Sequence, residues 1–319
     1  MSASTSAVDP LVEVAPAKIN LALHVTGRRA DGYHLLDTLV VHGVAADRLT
    51  ARRLGEPGAG DDPVTIDLAV TGPFAAGLTA DADNLVMRAA RLLEAEARRR
   101  AVPVAPVALI LEKNLPVASG IGGGSSDAAP ALRLLNRGWR RPPPPAGGFP
   151  LRTGWGRPPL PLDRPAETAL PLGADLPMCV HGRPLRARGI GETIDRLDGF
   201  PTLPMVLVNP GVAVATPAVF RALERRDNPG LPDLPAPFED ADSLVDRLAA
   251  TRNDLEAPAV RVAPVIGDVL ARLRGQPGCR LARMSGSGAT CFAIFGTDAE
   301  ARDAAAGMPA EWWAVAGRV

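Results

Sequence analysis

The chain has 319 residues, of which 46% are hydrophobic and 22% charged, and this composition excludes a wholly disordered, fibrous or membrane-embedded protein. Its 35 basic and 35 acidic side chains cancel, so no overall field would hold the protein on nucleic acid or on an anionic membrane. At about 150 residues per domain, the length predicts two domains or one large one.

The N-terminal residues and the cysteines carry no signal for export. The segment MSASTSAVDP has neither the basic nor the apolar part of a leader, and no apolar run approaches the roughly 18 residues that span a bilayer. Three scattered cysteines are too few for a disulfide framework or a CxxC metal site. We therefore expect a cytoplasmic protein with no membrane or nucleic-acid partner.

Strand patterns dominate the first part of the chain and are interrupted by one long helix. The strands are expected over 11–27, with a break at Pro16, and over 36–50, 64–70 and 107–111. A helical pattern begins at Asn84, a capping residue, and ends in an arginine run near residue 100. The early strands predict a meandering sheet, with the helix over 84–100 following it.

The second part of the chain begins with a helix from about Ser126 to Asn136. The next segment, 137–165, has nine prolines in 29 positions and no helical or strand period, so it predicts a loop, insert or linker. Beyond it we expect strands near 176–182, 185–196 and 204–209, helices near 217–226 and 253–274, then strand, turn, strand and a last helix at 298–306. The whole pattern predicts a two-lobed α+β protein with domains at 1–165 and 166–319.

A glycine-rich turn joins the strand at 107–111 to the following helix. Its glycines are followed by two serines, and the residues are Gly120, Gly122, Gly123, Gly124, Ser125 and Ser126. Glycines let backbone N–H groups approach an anion, and a helix N-terminus adds unpaired donors, so the turn favours phosphate binding over a merely flexible loop. No GxxxxGK[ST], GxGxxG, protein-kinase, GxSxG or HExxH motif is present. The turn therefore predicts a phosphate loop of another class.

Three separated segments together resemble the GHMP kinases, a superfamily of small-molecule kinases. They are PAKINLALHVTGRRADGYH at 16–34, LPVASGIGGGSSDAA at 115–129 and MSGSGATCFAIF at 284–295. The resemblance implies a ribosomal-protein-like N-terminal lobe that binds ATP and a ferredoxin-like C-terminal lobe. It also implies ATP as phosphoryl donor with Mg²⁺, and a monomer or homodimer acting on small molecules. The finer match is to members that phosphorylate the 2-hydroxyl of a cytidylyl-methylerythritol.

The resemblance assigns the catalytic pair to Lys18 and Asp175. Lys18 lies in the PAKIN motif and is one of only two lysines in the chain; from the sequence alone it would be read as a solvated strand end. Asp175 lies in LGADLP, and the family's aspartate at this place is the proposed base; without the motif it would be read as a turn former or cap.

The resemblance also assigns the binding residues. ATP is expected at Asn84, Lys113, Pro116 and the glycine-rich turn, namely Gly120, Gly122, Gly123, Gly124, Ser125 and Ser126. The acceptor is expected at Asn20, Tyr33, His34, Thr216, Phe220, Ser287 and Gly288. Tyr33 and Phe220 would hold the cytosine between their rings while His34 bonds its edge, although core packing is the alternative for Phe220. Mg²⁺ would arrive with ATP, so a dedicated all-protein metal cage is not expected.

Two departures from the family pattern keep other readings open. The proline-rich segment 137–165 replaces much of a connecting helix, and Pro130 stands in the phosphate-loop helix, where a small residue is expected. One alternative is another GHMP kinase that acts on mevalonate, homoserine or a sugar. The other is a catalytically impaired member that only binds a nucleotide or sugar. Tyr33, His34 and Phe220 argue against the first, and Lys18 with Asp175 against the second.

Overall fold

A computed structural model describes residues 10–58, 62–139, 169–234, 238 and 240–319. Within these ranges the chain forms two β-sheets with helices packed against them. None of the helices in this part of the chain is long and apolar enough to cross a bilayer.

The first sheet has six strands. They are β1 (Leu11–Arg28), β2 (His34–Arg53), β3 (Ile66–Thr71), β4 (Val107–Glu112), β5 (Leu185–Gly189) and β6 (Thr193–Arg196). The order is β3-β4-β2-β5-β6, with β1 paired to β2, and β3 runs parallel to β4 rather than continuing a meander. β1 continues through Pro16, where a break was expected, because a register shift between Pro16 and Ala17 accommodates a residue that cannot donate to the ladder.

Two helices cover one face of this sheet, α1 (Leu85–Arg99) and α2 (Gly123–Gly138). The predicted start of α1 is confirmed, because Asn84 Oδ1 accepts the N–H of Val86 at 2.9 Å. α2 begins three residues earlier than expected, since Gly122, with φ of +76°, occupies the cap position. Pro130 lies inside the helix and is buried, so the helix tolerates one missing backbone hydrogen bond.

The predicted strand at 176–182 is wrong: Leu176–His181 forms a short helix, α3. Pro177 fits the first turn of a helix, where its missing N–H costs nothing, and Gly182 ends the helix in the left-handed region. The apolar content of the segment resembles that of a buried strand, and this similarity explains the error.

The expected strand at 185–196 is a hairpin of β5 and β6 that turns through Gly189 and Gly191, both at positive φ. β5 pairs with β2, so this hairpin belongs to the first sheet. The division between the sheets therefore does not coincide with the domain boundary drawn at 165/166. Most of the proline-rich segment, 140–165, lies outside the described residues.

The second sheet is antiparallel, with the order β10-β7-β9-β8. Its strands are β7 (Pro204–Asn209), β8 (Cys279–Met284), β9 (Cys291–Phe295) and β10 (Trp313–Arg318). The helices of this region are α4 (Thr216–Arg221), α5 (Ala241–Ala249), α6 (Glu256–Val262), α7 (Val265–Arg274) and α8 (Asp298–Ala306). Sequence patterns missed α5 and β10, and they joined α6 to α7, which Pro264 separates.

Apolar side chains of both sheets meet in a shared core. β1 contributes Ile19 and Leu21, and β7 and β9 contribute Leu207 and Phe292. These side chains are fully buried, so the two sheets pack directly against each other. This packing brings the glycine-rich turn of the first sheet close to the loop between β8 and β9 of the second sheet.

Candidate active site

A cavity of about 700 Å³ lies where the glycine-rich turn meets the loop between β8 and β9. Most of the residues predicted for the site line it: Lys18, Asn20, Asn84, Lys113, Gly120, Gly122, Gly123, Gly124, Ser125, Asp175, Thr216, Phe220, Ser287 and Gly288. The other four predicted residues, Pro116, Ser126, Tyr33 and His34, are not part of its lining. Segments distant in sequence thus converge on one concave surface.

The glycine-rich turn approaches its neighbours so closely that side chains are excluded. A Cβ at Gly120 would lie 2.5 Å from the carbonyl oxygen of Ser285, and one at Gly122 would lie 3.0 Å from Cβ of Lys18. Both glycines have φ of +76°, which disfavours other residues. α2 begins directly after Gly122, so its first backbone N–H groups lie at the cavity wall and have no acceptor within the helix. This arrangement suits a phosphate group.

Lys18 and Asp175 form an ion pair at the cavity, with Nζ 3.0 Å from Oδ2. The lysine side chain is 5% exposed and the aspartate 45%, so the ammonium is not a solvated strand end and the carboxylate remains accessible. Asp175 stands at the cap position of α3, yet its side chain makes no cap hydrogen bond among the described residues. The carboxylate is therefore oriented by Lys18 and not by the helix that follows it.

The loop between β8 and β9 packs against the other two motifs. Ser285 Oγ accepts the N–H of Asn20 and donates to the carbonyl of Gly120, both at 3.1 Å. Ser287 Oγ lies 2.8 Å from Thr216 Oγ1, at the start of α4. One hydroxyl therefore links β1 to the glycine-rich turn, and another links the loop to α4.

Asn20 lies deeper in the same wall. Its Nδ2 donates to Thr38 Oγ1 at 2.8 Å, while its buried Oδ1 has no partner among the described residues. Thr38 also lines the cavity and was not expected from the sequence. The amide of Asn20 therefore ties β1 to β2 within this wall of the cavity.

Lys113 lines the cavity, but its ammonium is buried between two carboxylates. Its Nζ donates to Asp127 Oδ2 at 2.7 Å and to Asp47 Oδ2. Burial lowers the pKa of Lys113, but the two carboxylates outweigh burial and leave the pKa above its usual value. Burial, and then Asp47, raise the pKa of Asp127. Neither aspartate was expected at the site, because the sequence does not show that Asp47 and Asp127 meet Lys113 in the interior.

The two predicted residues on the ATP side that do not line the cavity make local contacts. The carbonyl of Pro116 accepts a hydrogen bond from Ser119 Oγ at 2.6 Å. Ser126 Oγ lies 3.6 Å from Cys179 Sγ, inside α2's packing against α3. Burial raises the pKa of the Cys179 thiol to about 12, so it stays protonated at neutral pH.

The predicted acceptor end differs from expectation in its aromatic pairing. His34 stacks on Phe220, with ring centroids 4.3 Å apart and planes 17° apart, whereas Tyr33 is 57% exposed. The backbone N–H of Tyr33 donates to Asp31 Oδ1 at 3.2 Å in the turn between β1 and β2. Burial, followed by the charge of Arg28, lowers the pKa of His34. The stacking partner of Phe220 in the structure is therefore the imidazole of His34.

Comparisons with known proteins agree with this geometry. The family model for the GHMP kinases N terminal domain matches residues 84–149, and the model described as GHMP kinases C terminal matches 238–314. A 4-diphosphocytidyl-2-C-methyl-D-erythritol kinase from Paracoccus denitrificans is 48% identical over 95% of both chains. One from Brucella melitensis is 50% identical over 92% of this chain and 89% of the relative.

Solved structures extend the comparison to the fold. A crystal structure of 4-(cytidine 5'-diphospho)-2C-methyl-D-erythritol kinase superposes with a TM-score of 0.69 at 35% identity, covering 96% of this chain and 98% of the other. Homoserine kinase from Cytophaga hutchinsonii shares the fold, with a TM-score of 0.59 at 14% identity, covering 100% and 96%. The predicted two-lobed α+β fold is confirmed. The chain belongs to the 4-diphosphocytidyl-2-C-methyl-D-erythritol kinase family of the GHMP kinases.

Proposed function

We propose that this chain transfers the γ-phosphoryl group of ATP to the 2-hydroxyl of 4-diphosphocytidyl-2-C-methyl-D-erythritol, a step of non-mevalonate isoprenoid synthesis in the cytoplasm. The observation that carries the proposal is the Lys18–Asp175 pair, with its 3.0 Å contact, in the cavity that the glycine-rich turn also lines. Family membership supports the choice of acceptor.

Asp175 acts on the acceptor hydroxyl in this proposal. Its half-exposed carboxylate can accept a hydrogen bond from an alcohol in the cavity, and it receives the proton as the oxygen attacks phosphorus. Lys18 holds the carboxylate in place, and its charge also favours phosphate oxygens nearby. A Cβ at Gly173 would lie 3.9 Å from Ser125 Oγ, so the turn carrying Asp175 packs on the start of α2, where we propose the phosphates bind.

The glycine-rich turn and the start of α2 bind the triphosphate in this proposal. The residues are Gly120, Gly122, Gly123, Gly124 and Ser125, with Pro116 shaping the turn and Ser126 supporting it from behind, against Cys179. The absence of Cβ atoms and the unpaired N–H groups of α2 fit phosphate oxygens. Mg²⁺ bound to ATP would neutralise charge on the transferred phosphoryl group. Asn84 and Lys113 border the nucleotide. Lys113 does so through its ion pairs with Asp47 and Asp127, which stabilise this wall of the cavity.

The acceptor lies at the other end of the cavity, between β1 and α4. We assign its contacts to Asn20, Tyr33, His34, Thr216, Phe220, Ser287 and Gly288. Phe220 presents a ring at the cavity, and His34 already stacks on it. For cytosine to lie on the same ring, His34 must turn toward the edge of the base, which suits its expected hydrogen bond there.

The test is a comparison of acceptors with the purified chain. ADP formation is followed with ATP, Mg²⁺ and one acceptor at a time: 4-diphosphocytidyl-2-C-methyl-D-erythritol, mevalonate or homoserine. We expect turnover on the cytidylyl acceptor alone, and a new phosphomonoester signal in the ³¹P NMR spectrum of its product. Preferred turnover of mevalonate or homoserine would contradict the proposal, and binding of ATP without any turnover would favour a catalytically impaired member.

A further inference from the structure

The buried amide of Asn253 joins three backbone segments near the site. It lies between α5 and α6 and is 6% exposed. Its Nδ2 donates to the carbonyl of Met284 at 2.8 Å and to that of Gly286 at 2.9 Å, and its Oδ1 accepts the N–H of Leu255 at 3.0 Å. Both N–H donors of the amide are therefore used, one on the last residue of β8 and the other on the loop that joins β8 to β9.

The segment that carries this amide is attached to β1. The N–H of Leu23 donates to the carbonyl of Arg252, and the N–H of Asp254 donates to the carbonyl of Leu23, both at 2.9 Å. Asp254 Oδ2 also accepts the N–H of Val25 at 2.7 Å. β1 carries Lys18 and Asn20, so Asn253 connects the strand of the proposed catalytic lysine to the loop on the opposite wall.

The loop has reasons to depend on such support. Gly286 and Gly288 adopt φ of +55° and +88°, and both line the cavity beside Ser287. Flexible glycines give the loop little stiffness of its own. Met284, at its entrance, has its carbonyl held by Asn253 and its N–H held by Glu256 Oε2 at 2.9 Å. The side chains of Asn253 and Glu256 thus fix the position of this loop relative to the cavity.

We propose that Asn253 is a positioning residue, which sets the loop 285–288 at the correct distance from Lys18 and Asp175 for the acceptor hydroxyl to reach the phosphoryl group. The inference rests on the proposed function. Misplacement of a reacting group by about 1 Å can lower a rate about 100-fold, so two lost hydrogen bonds at the base of this loop should affect the chemistry. The glycine-rich turn contacts this loop at Gly120, whose carbonyl accepts a hydrogen bond from Ser285 Oγ, but it is also held to β1, where the N–H of Lys18 donates to the carbonyl of Ile121 at 3.0 Å. ATP binding should therefore change less than acceptor phosphorylation does.

The experiment compares Asn253→Ala with Thr251→Ala. Thr251 is a matched control because it lies two residues away, is 7% exposed, and bonds Leu248 and Arg283 instead of the loop. For Asn253→Ala we expect kcat/KM for the cytidylyl acceptor to fall about 10- to 100-fold, with the KM for ATP within about threefold of wild type. Thr251→Ala should keep kcat and both KM values within about twofold while lowering the thermal midpoint.

Asn253→Ser is measured beside the alanine variant, in case Asn253→Ala fails to fold. Serine is smaller than asparagine but keeps a polar group at this buried position. The serine cannot reach both carbonyls, so it should show the same selective loss for the acceptor. Kinetic constants within twofold of wild type in a folded Asn253 variant would overturn the inference. An equal loss in the ATP and acceptor constants of a folded Asn253 variant would also overturn it. If the wild type itself does not phosphorylate the cytidylyl acceptor, the proposed function fails, and this inference fails with it.

Discussion

Replacing Lys113 by methionine removes the charge that two buried carboxylates share. The lysine side chain is 2% exposed, and those of Asp47 and Asp127 are 0% and 5% exposed. Methionine has a similar length and keeps the apolar packing, so the variant isolates the ammonium. Breaking a buried ion pair by removing one partner costs about 3–5 kcal/mol because an uncompensated charge remains.

The structure favours the lower end of that range. Asp47 Oδ1 also accepts the N–H groups of Asn114 and Leu115 at 2.5 and 2.8 Å, so this carboxylate stays partly satisfied. The raised pKa of Asp127 lets that group take up a proton when its cation is lost. We therefore expect Lys113→Met to lose about 3 kcal/mol of unfolding free energy. Asp127→Asn, the matched variant, should lose less than about 1 kcal/mol, since Lys113 keeps Asp47 as its counterion.

The assay is urea unfolding followed by circular dichroism, together with ATP titration of the folded variants. ATP affinity of folded Lys113→Met should remain within about threefold of wild type, because its ammonium is engaged by carboxylates and not free for the nucleotide. A loss below 1 kcal/mol, combined with a large fall in ATP affinity, would refute the reasoning and give Lys113 a direct contact with ATP.

Three further predictions concern the cavity wall and the β1–β2 hairpin. Lys18→Arg should lower kcat/KM at least 100-fold, because a planar guanidinium cannot take the place of the compact ammonium whose Nζ lies 3.0 Å from Asp175 Oδ2. Steady-state kinetics with more than half of wild-type activity would contradict this. Phe220→Ala should raise the acceptor KM about 5- to 150-fold with an unchanged KM for ATP; a loss of about 3–5 kcal/mol of stability without a change in acceptor affinity would make Phe220 a core residue instead. Burial, followed by the charge of Lys18, lowers the pKa of His42 to about 4 in the folded protein. The imidazole therefore takes up a proton more readily in the unfolded chain, and the free energy of unfolding decreases as the pH falls from about 6.5 toward 4. Between pH 7 and pH 5 the free energy of unfolding of the wild type should therefore decrease by about 2 kcal/mol more than that of His42→Phe. Urea unfolding that shows equal decreases for both proteins would disprove this.

Residue types within a few positions of each other were enough to predict where several helices and turns lie. Asn84 was expected to begin a helix because its side chain can accept an N–H of the first turn, and it does so. The glycine-rich turn was expected to join a strand to a helix, and β4 and α2 flank it. Motif resemblance, in turn, brought Lys18 and Asp175 together across 157 positions, which periodicity could not do.

Features that depend on partners far along the chain could not be predicted in the same way. Whether Leu176–His181 forms a strand or a helix is decided by packing against α2, and both states suit its apolar residues. The partners of Lys113 come from different segments, one of them 66 positions away. The stacking of His34 on Phe220 likewise requires that β2 and α4 meet, and no local pattern records that contact.

The most direct test of the account is the rate of ATP-dependent phosphorylation of 4-diphosphocytidyl-2-C-methyl-D-erythritol by the wild type and by Asp175→Asn, measured side by side. We expect turnover by the wild type and a kcat about 10²- to 10⁴-fold lower in the variant, with the KM for ATP largely kept. A variant that retains more than half of the wild-type kcat would contradict the role of Asp175, and a folded wild type that forms no phosphorylated product would contradict the function itself.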